Sequence, residues 1–206
     1  MTTRRALLSA ALLAPLAGCN LPGSGPPPNL YTLTPKNTFD PNLPQVGRQL
    51  LIEQPTAAAG LNTPRIAAMR GPFNLDYFAG VAWTDRAPAM VHNLLIESFE
   101  NSKRIVAVGR ENYGLRADFL LLTELREFQI EMLPDDRSQA HVRLNAKLVQ
   151  MPRRNIVGSD SFDVTLPAAS NRFPDQIAAF DEALGRVLRH VVEWSLRGIA
   201  ASQPVG

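Results

Sequence analysis

Alternating apolar and polar positions predict two long strands in the middle of the chain. Between residues 140 and 150, apolar side chains alternate with polar ones such as His141 and Arg143, the pattern of a strand with one buried and one solvated face. Between residues 118 and 132 the alternation changes phase, and a β-bulge near Arg126 and Glu127 would restore it. The turn-forming residues 134–138 join the two strands.

Two segments have the three- and four-residue apolar spacing of amphipathic helices. The first covers residues 87–101, where Pro88 fits the first turn and Asp85 is the predicted N-cap. The second covers residues 174–200 and has an apolar stripe that reaches Trp194. Shorter apolar runs predict strands at residues 31–33, 49–54, 65–69, 75–83, 105–108 and 155–166.

This order of elements predicts an α+β fold in a single domain. We expect a two-layer sandwich, in which an antiparallel-rich mixed sheet carries two main helices packed on one face. About 160 residues lie beyond the Pro-rich segment, and a domain of that size can bury enough apolar surface to fold on its own.

The N terminus has the pattern of a bacterial lipoprotein signal. An apolar run of about 12 residues follows two arginines, and it is too short to cross a bilayer, which takes about 20. The run ends in Leu16, Ala17, Gly18 and Cys19, the lipobox pattern, and Cys19 is the only cysteine of the chain. We therefore predict cleavage before Cys19 and lipidation of its thiol. The alternatives are an ordinary signal peptide, or a small core helix with an incidental cysteine.

The lipobox divides the chain into three predicted parts. Residues 1–18 are the signal peptide, residues 19–45 are the lipidated cysteine with a Pro-rich tether, and residues 46–206 are the folded domain. The paired arginines leave both the general secretory and the twin-arginine export routes open. Asn20, where inner-membrane lipoproteins commonly have Asp, favours an outer-membrane lipoprotein whose domain faces the periplasm.

The charge balance gives no support for a nucleic-acid partner. The chain has 21 Lys+Arg and 19 Asp+Glu residues, and loss of Arg4 and Arg5 with the signal leaves 19 of each sign. No cysteine remains for a disulfide bond once Cys19 is lipidated, so the core alone must hold the fold.

Catalytic signatures are missing from the sequence. It contains no G-x-S-x-G, P-loop, G-x-G-x-x-G or H-E-x-x-H motif. His92, His141 and His190 lie far apart along the chain, so we expect isolated histidines and no metal site. Asp135 and Asp136 are typical of a solvated turn. The sequence therefore predicts no catalytic residue, no metal, no cofactor and no enzymatic activity.

Several sequence patterns together resemble one known family. They lie at residues 30–35, 65–67, 75–78, 117–119, 122–128 and 183–194, and the most specific is V-A-W-T-D-R-A-P at residues 81–88. The chain resembles the ABC-type transport auxiliary lipoproteins, a family that includes the paraquat-inducible lipoprotein of the intermembrane transport group. The resemblance covers nearly all of the chain after the signal.

The resemblance implies a helper role in transport between membranes. The implied partners are an ABC transporter and its periplasmic protein of the mammalian-cell-entry (MCE) type, with phospholipid or a related molecule as cargo. No family site carries over, because the matching residues are mostly core and turn positions. We expect Trp83, Asp85, Arg86 and Pro88 to fix the strand-to-helix junction first and to offer a partner surface second.

Two other functions stay open beside this docking role. One is a periplasmic carrier that binds phospholipid itself, and the other is an assembly lipoprotein of another envelope machine. A homo-oligomer is compatible with each of them.

Overall fold

The computed structural model describes residues 26–111 and 116–202. The predicted signal peptide and lipobox, with Leu16, Ala17, Gly18 and Cys19, lie outside the described residues. Among the described helices, none combines the length and the apolar character that a membrane span needs.

The described chain forms nine strands and two helices. The strands are β1 (Asn29–Tyr31), β2 (Val46–Ile52), β3 (Thr56–Ala57), β4 (Arg65–Arg70), β5 (Leu75–Trp83), β6 (Ile105–Arg110), β7 (Phe119–Met132), β8 (Ser138–Gln150) and β9 (Asn155–Pro167). The helices are α1 (Ala87–Ser102) and α2 (Phe173–Ala201). The predicted α+β fold is confirmed, because one mixed open sheet packs against both helices.

Strand β7 is the centre of the sheet. Along one edge it pairs antiparallel with β8, which pairs antiparallel with β9. Along its other edge β2, β3 and β4 pair with it one after another, all parallel. Strand β6 extends the sheet beyond β2, while β5 and then β1 extend it beyond β4. The long ladders are therefore antiparallel and the short ones mostly parallel.

The predicted β-bulge lies where the change of hydrophobic phase indicates it. The register of β7 on β8 shifts between Leu125 and Glu127, so Arg126 is the extra residue. Because side chains alternate between the two faces of a strand, the extra residue returns Phe128 to the buried face that Leu125 also occupies. Beyond the bulge, Glu127 lies on the solvated face opposite Arg143 of β8.

Both helices cover the same face of the sheet and share one core. Helix α2 packs mainly on β8 and β9, whereas α1 packs on β6 and on α2. Pro174 and Pro88 each stand in the first turn of a helix, where a missing N–H removes no helical hydrogen bond. The alternating apolar residues of β8 are fully buried under α2, and they are Ala140, Val142, Leu144, Ala146 and Leu148.

The structure corrects the predicted extent of the tether. Residues 29–31 form β1, and residues 32–45, which we call the strap, run back over the outer surface of the helices. The strap amide of Lys36 donates to Ser98 Oγ of α1 at 3.0 Å, and the amide of Asp40 donates to Glu193 Oε1 of α2 at 2.9 Å. Residues 29–45 are therefore part of the folded domain.

Two leucines hold the ends of the strap in the core. Leu33 and Leu43 are each 3% exposed and belong to the main hydrophobic cluster. The carboxylate of Asp181 accepts hydrogen bonds from the amide and the hydroxyl of Thr34, at 2.6 and 2.8 Å. A segment rich in Pro and Asn can thus be ordered by two buried anchors and a few polar contacts.

Candidate functional site

The strand-to-helix junction, residues 83–88, is built on a buried tryptophan. Trp83 ends β5, is 1% exposed, and packs edge-on against Phe180 of α2 with ring centroids 5.3 Å apart. Phe128 of β7 lies 5.7 Å from Trp83 and 4.6 Å from Phe180, so the three rings form one cluster. Pro88 is also buried. Trp83 and Pro88 therefore fix the junction from below.

Backbone hydrogen bonds tie the junction to two neighbouring segments. The amide of Trp83 donates to the carbonyl of Pro64 at 2.7 Å, and the amide of Ala87 donates to the carbonyl of Thr63 at 3.2 Å. The amide of Thr84 donates to the carbonyl of Tyr31, at the end of β1, at 2.9 Å. The junction is therefore held on both sides by main-chain contacts.

Asp85 does not cap helix α1, so that prediction is wrong. The N-cap residue is Arg86, and its side chain makes no capping hydrogen bond. Asp85 Oδ1 instead accepts a hydrogen bond from the amide of Arg86 at 2.6 Å. Because Pro88 occupies the first turn, one of the amides that a cap would serve does not exist. Thr84, Asp85 and Arg86 are exposed and form a small polar surface on the buried base.

A second polar cluster lies on the solvated face of the sheet and was not predicted. His141 of β8 stands between Glu131 of β7 and Asp163 of β9. Its Nδ1 lies 2.6 Å from Glu131 Oε1, and its Nε2 lies 2.8 Å from Asp163 Oδ1. A carboxylate can only accept, so both ring nitrogens donate and the ring is an imidazolium ion. Arg143 beside it contacts the carboxylate of Glu127.

The pKa values of this cluster are shifted in opposite directions. Burial disfavours the imidazolium of His141, but its hydrogen bonds to Glu131 and Asp163 outweigh burial and raise the pKa of His141. Burial likewise opposes the charged form of Glu131, yet hydrogen bonds from Gln139 and His141 lower the pKa of that carboxyl. A cavity of about 380 Å³ opens beside the cluster, between these side chains and the β4–β5 turn.

The other two histidines lie apart from this cluster. His92 Nε2 donates to the carbonyl of Ile52 at 2.9 Å, and Nδ1 accepts from Arg110 at 3.2 Å. Burial lowers the pKa of His92, the Ile52 hydrogen bond opposes this, and the charge of Arg110 lowers it further, so the ring is neutral. His190 borders a depression of about 470 Å³ with Trp194 and Phe162. In residues 26–111 and 116–202, no group of three or more His, Cys, Asp or Glu could hold a metal ion.

A family model matches residues 31–192 of the chain, and it describes the ABC-type transport auxiliary lipoprotein component. The chain belongs to this family. The match begins within β1 and ends in α2, so it covers the strap, the junction and the entire sheet. The auxiliary lipoprotein family therefore includes the strap in its folded domain, in agreement with the packing of Leu33 and Leu43.

Known proteins similar to this auxiliary lipoprotein come from several bacteria. An uncharacterized protein of Bradyrhizobium diazoefficiens is 31% identical over 193 residues, which are 89% of this chain but 50% of that protein, so the chain spans half of its length. A crystal structure of a Xanthomonas campestris protein is 32% identical, with a TM-score of 0.78 over 82% of this chain and 95% of that one. A hypothetical protein of Chlamydia trachomatis shares the fold at 10% identity, with a TM-score of 0.52 over 76% of this chain and 100% of that one.

Proposed function

We propose that this auxiliary lipoprotein is a docking subunit, anchored by lipid at Cys19 in the outer membrane, with its domain in the periplasm. Its partners would be the MCE-type periplasmic protein and the ABC transporter of an intermembrane lipid transport system. The family assignment supports association with an ABC transporter. The lipobox and Asn20 support the anchor and its membrane.

The observation that carries the docking role is the exposed polar surface of the junction on its buried base. Thr84, Asp85 and Arg86 are exposed, while Trp83 beneath them is locked into the aromatic cluster. A rigid base holds a contact surface in one shape and reduces the entropy lost when a partner binds. No catalytic arrangement accompanies the surface, and this supports a role in binding.

The direction of the chain supports the placement of this surface. Strand β1 runs parallel to β5, and its residues 29–31 lie beside residues 81–83. A chain that comes from a lipid at Cys19 therefore runs through β1 toward the junction. The junction then stands at the membrane-distal end of β5, where a periplasmic partner can reach it.

A crosslinked pull-down of the tagged, lipidated protein from its own cells tests this function. We expect an MCE-type protein and its ABC transporter to be recovered. Asp85→Ala combined with Arg86→Glu should reduce their recovery severalfold at unchanged melting temperature, because both side chains are exposed.

The matched control is Asp135→Ala combined with Arg137→Glu. These two side chains form an exposed ion pair at 2.7 Å in the β7–β8 turn, at the opposite end of the sheet from the junction. We expect normal partner recovery from this control. Recovery of only other envelope proteins would favour the assembly role, and phospholipid that remains bound to the purified protein would favour the carrier role.

A further inference from the structure

The β4–β5 turn, residues 71–74, presents the most exposed large apolar side chain of the described residues. Phe73 is 97% exposed, and Pro72 before it and Leu75 after it are exposed as well. Isolated apolar residues are common on protein surfaces, so exposure alone indicates no function. The position of the turn relative to the lipid anchor is the second observation.

Strand directions place this turn at the end of the domain from which the anchored chain arrives. Strand β1 is parallel to β5, so the chain that precedes Asn29 comes from the side where β5 begins. Strand β4 is antiparallel to β5 and runs toward that same side. From the level of Arg65, which pairs with Ala82, β4 extends about 16 Å before the turn begins. The turn therefore projects beyond Asn29 on the anchor side.

Covalent geometry limits how far the domain can be from its lipid. Asn29 follows Cys19 by ten residues, and a chain of that length spans at most about 35 Å when fully extended. The strap cannot lengthen this connection while it is packed on the helices. A turn that projects about 16 Å toward the anchor then covers a large part of the remaining gap.

The chemistry of the turn suits a bilayer surface. Arg70 and Asp76 flank it as an ion pair at 3.8 Å, so the apolar tip carries little net charge at its base. An aromatic side chain can lie at the boundary between headgroups and acyl chains. One phenylalanine binds a bilayer weakly by itself, but a lipid anchor on the same chain raises its local concentration at the surface.

We propose that the β4–β5 turn is a membrane contact, with Phe73 inserted into the bilayer that holds the Cys19 lipid. The contact rests on the lipid anchor of the proposed function. It fixes the orientation of the domain, with the turn at the bilayer and the junction directed into the periplasm.

Depth-dependent fluorescence quenching tests the contact. The lipidated full-length protein carries Asn74→Cys, labelled with an environment-sensitive fluorophore, in vesicles of phosphatidylethanolamine and phosphatidylglycerol with brominated acyl chains. Because Cys19 is acylated, the introduced thiol is the only free one. Asn74 is exposed and next to Phe73, which stays in place.

The matched control is the same label on Val106→Cys. Val106 is 72% exposed and lies on β6, which pairs through β2 with the start of β7, whereas the β4–β5 turn lies near the end of β7. The two labels are therefore about 40 Å apart along the sheet. We expect strong quenching of the label at position 74 and little at position 106.

Adding Phe73→Ser to the Asn74→Cys variant should weaken insertion of the turn about tenfold or more, because the aromatic burial is lost. Vesicle-bound protein whose label at position 74 is not quenched would overturn the contact alone. Unchanged quenching after Phe73→Ser would overturn insertion by Phe73. Protein that does not float with the vesicles would overturn the contact together with the lipid anchor.

Discussion

His141 shows at the residue scale how strand register can create a charged cluster from scattered residues. Glu131, His141 and Asp163 come from three strands, and only the pairing of β7 with β8 and of β8 with β9 brings them together. Alternation predicts that His141 lies on the solvated face, and this is confirmed. The two carboxylate partners could not be predicted, because register depends on the β7 bulge and on a second irregularity near Val149.

The pH dependence of this cluster has a definite sign. The pKa of His141 is raised above 6.5 in the folded protein, so its contribution to the free energy of unfolding is complete below about pH 6.5 and is lost as the pH rises through the folded pKa. The charged groups that face the ring are Glu131 and Glu127 of β7, Arg143 of β8 and Asp163 of β9. The carboxylate of Glu131 stays charged in this range because its pKa is lowered from 4.5.

His141→Gln should therefore destabilise the protein most in mild acid. We expect a loss of about 1–3 kcal/mol near pH 6, because charge-assisted hydrogen bonds are removed, and a smaller loss above pH 8. Denaturant unfolding of both proteins across this range measures the difference. His190→Gln is the control for losing a histidine elsewhere, and a loss that does not change with pH would contradict the assignment of an imidazolium.

At the element scale, the strap shows where composition misleads. Its Pro- and Asn-rich sequence indicates a tether, yet Leu33 and Leu43 are buried in the core. Two isolated leucines have no periodicity, so no helix or strand pattern reveals them. The short strand β3 was missed for the same reason. Elements with a long repeat were predicted well, including β5, β7 with its bulge, α1 and α2.

The strap gives a test of its own by comparison of two leucines three residues apart. Leu33→Ala should lower the free energy of unfolding by about 2–4 kcal/mol, since it empties a core position. Leu30→Ala, at a position 62% exposed, should change it by less than about 0.5 kcal/mol. Thermal or denaturant unfolding of the two variants decides the matter. Equal small effects would return the segment to the tether.

The aromatic cluster explains why the junction was only partly predicted. Its sequence pattern shows a strand followed by a helix with a proline in the first turn, and both elements are confirmed. The partners of Trp83 are 45 residues or more away along the chain, at Phe128 and Phe180, and only the assembled core brings them to it. Sequence spacing alone could not distinguish the buried Trp83 from the exposed Asp85 and Arg86 beside it.

At the scale of the whole molecule, the two proposed surfaces lie at opposite ends of β5. The β4–β5 turn precedes this strand and the junction follows it. Substitutions at sites that share no partners are expected to act independently. The bilayer contact and the docking surface should therefore be separable.

This separation predicts a crossed result. Phe73→Ser should leave recovery of transport partners from cells unchanged within about twofold, because it does not alter the junction. Asp85→Ala combined with Arg86→Glu should leave quenching of the label at position 74 unchanged. The pull-down and the vesicle measurement, applied to both variants, check it. Loss of both readouts in either variant would mean that the two ends of the domain are coupled.

The parallel pairing of β1 with β5 also has a mechanical consequence. When a partner draws the domain away from the membrane, the load passes from the lipid through Asn29 into β1, along the direction of the strand. The hydrogen bonds between Asn29–Tyr31 and β5 are then sheared together, and cannot open one at a time as they would in an unzipping geometry. Behind them, the buried Leu33 and the contacts of Thr34 with Asp181 resist the same force. The attachment of the domain to its anchor is thus built to bear tension before any element of the core is disturbed.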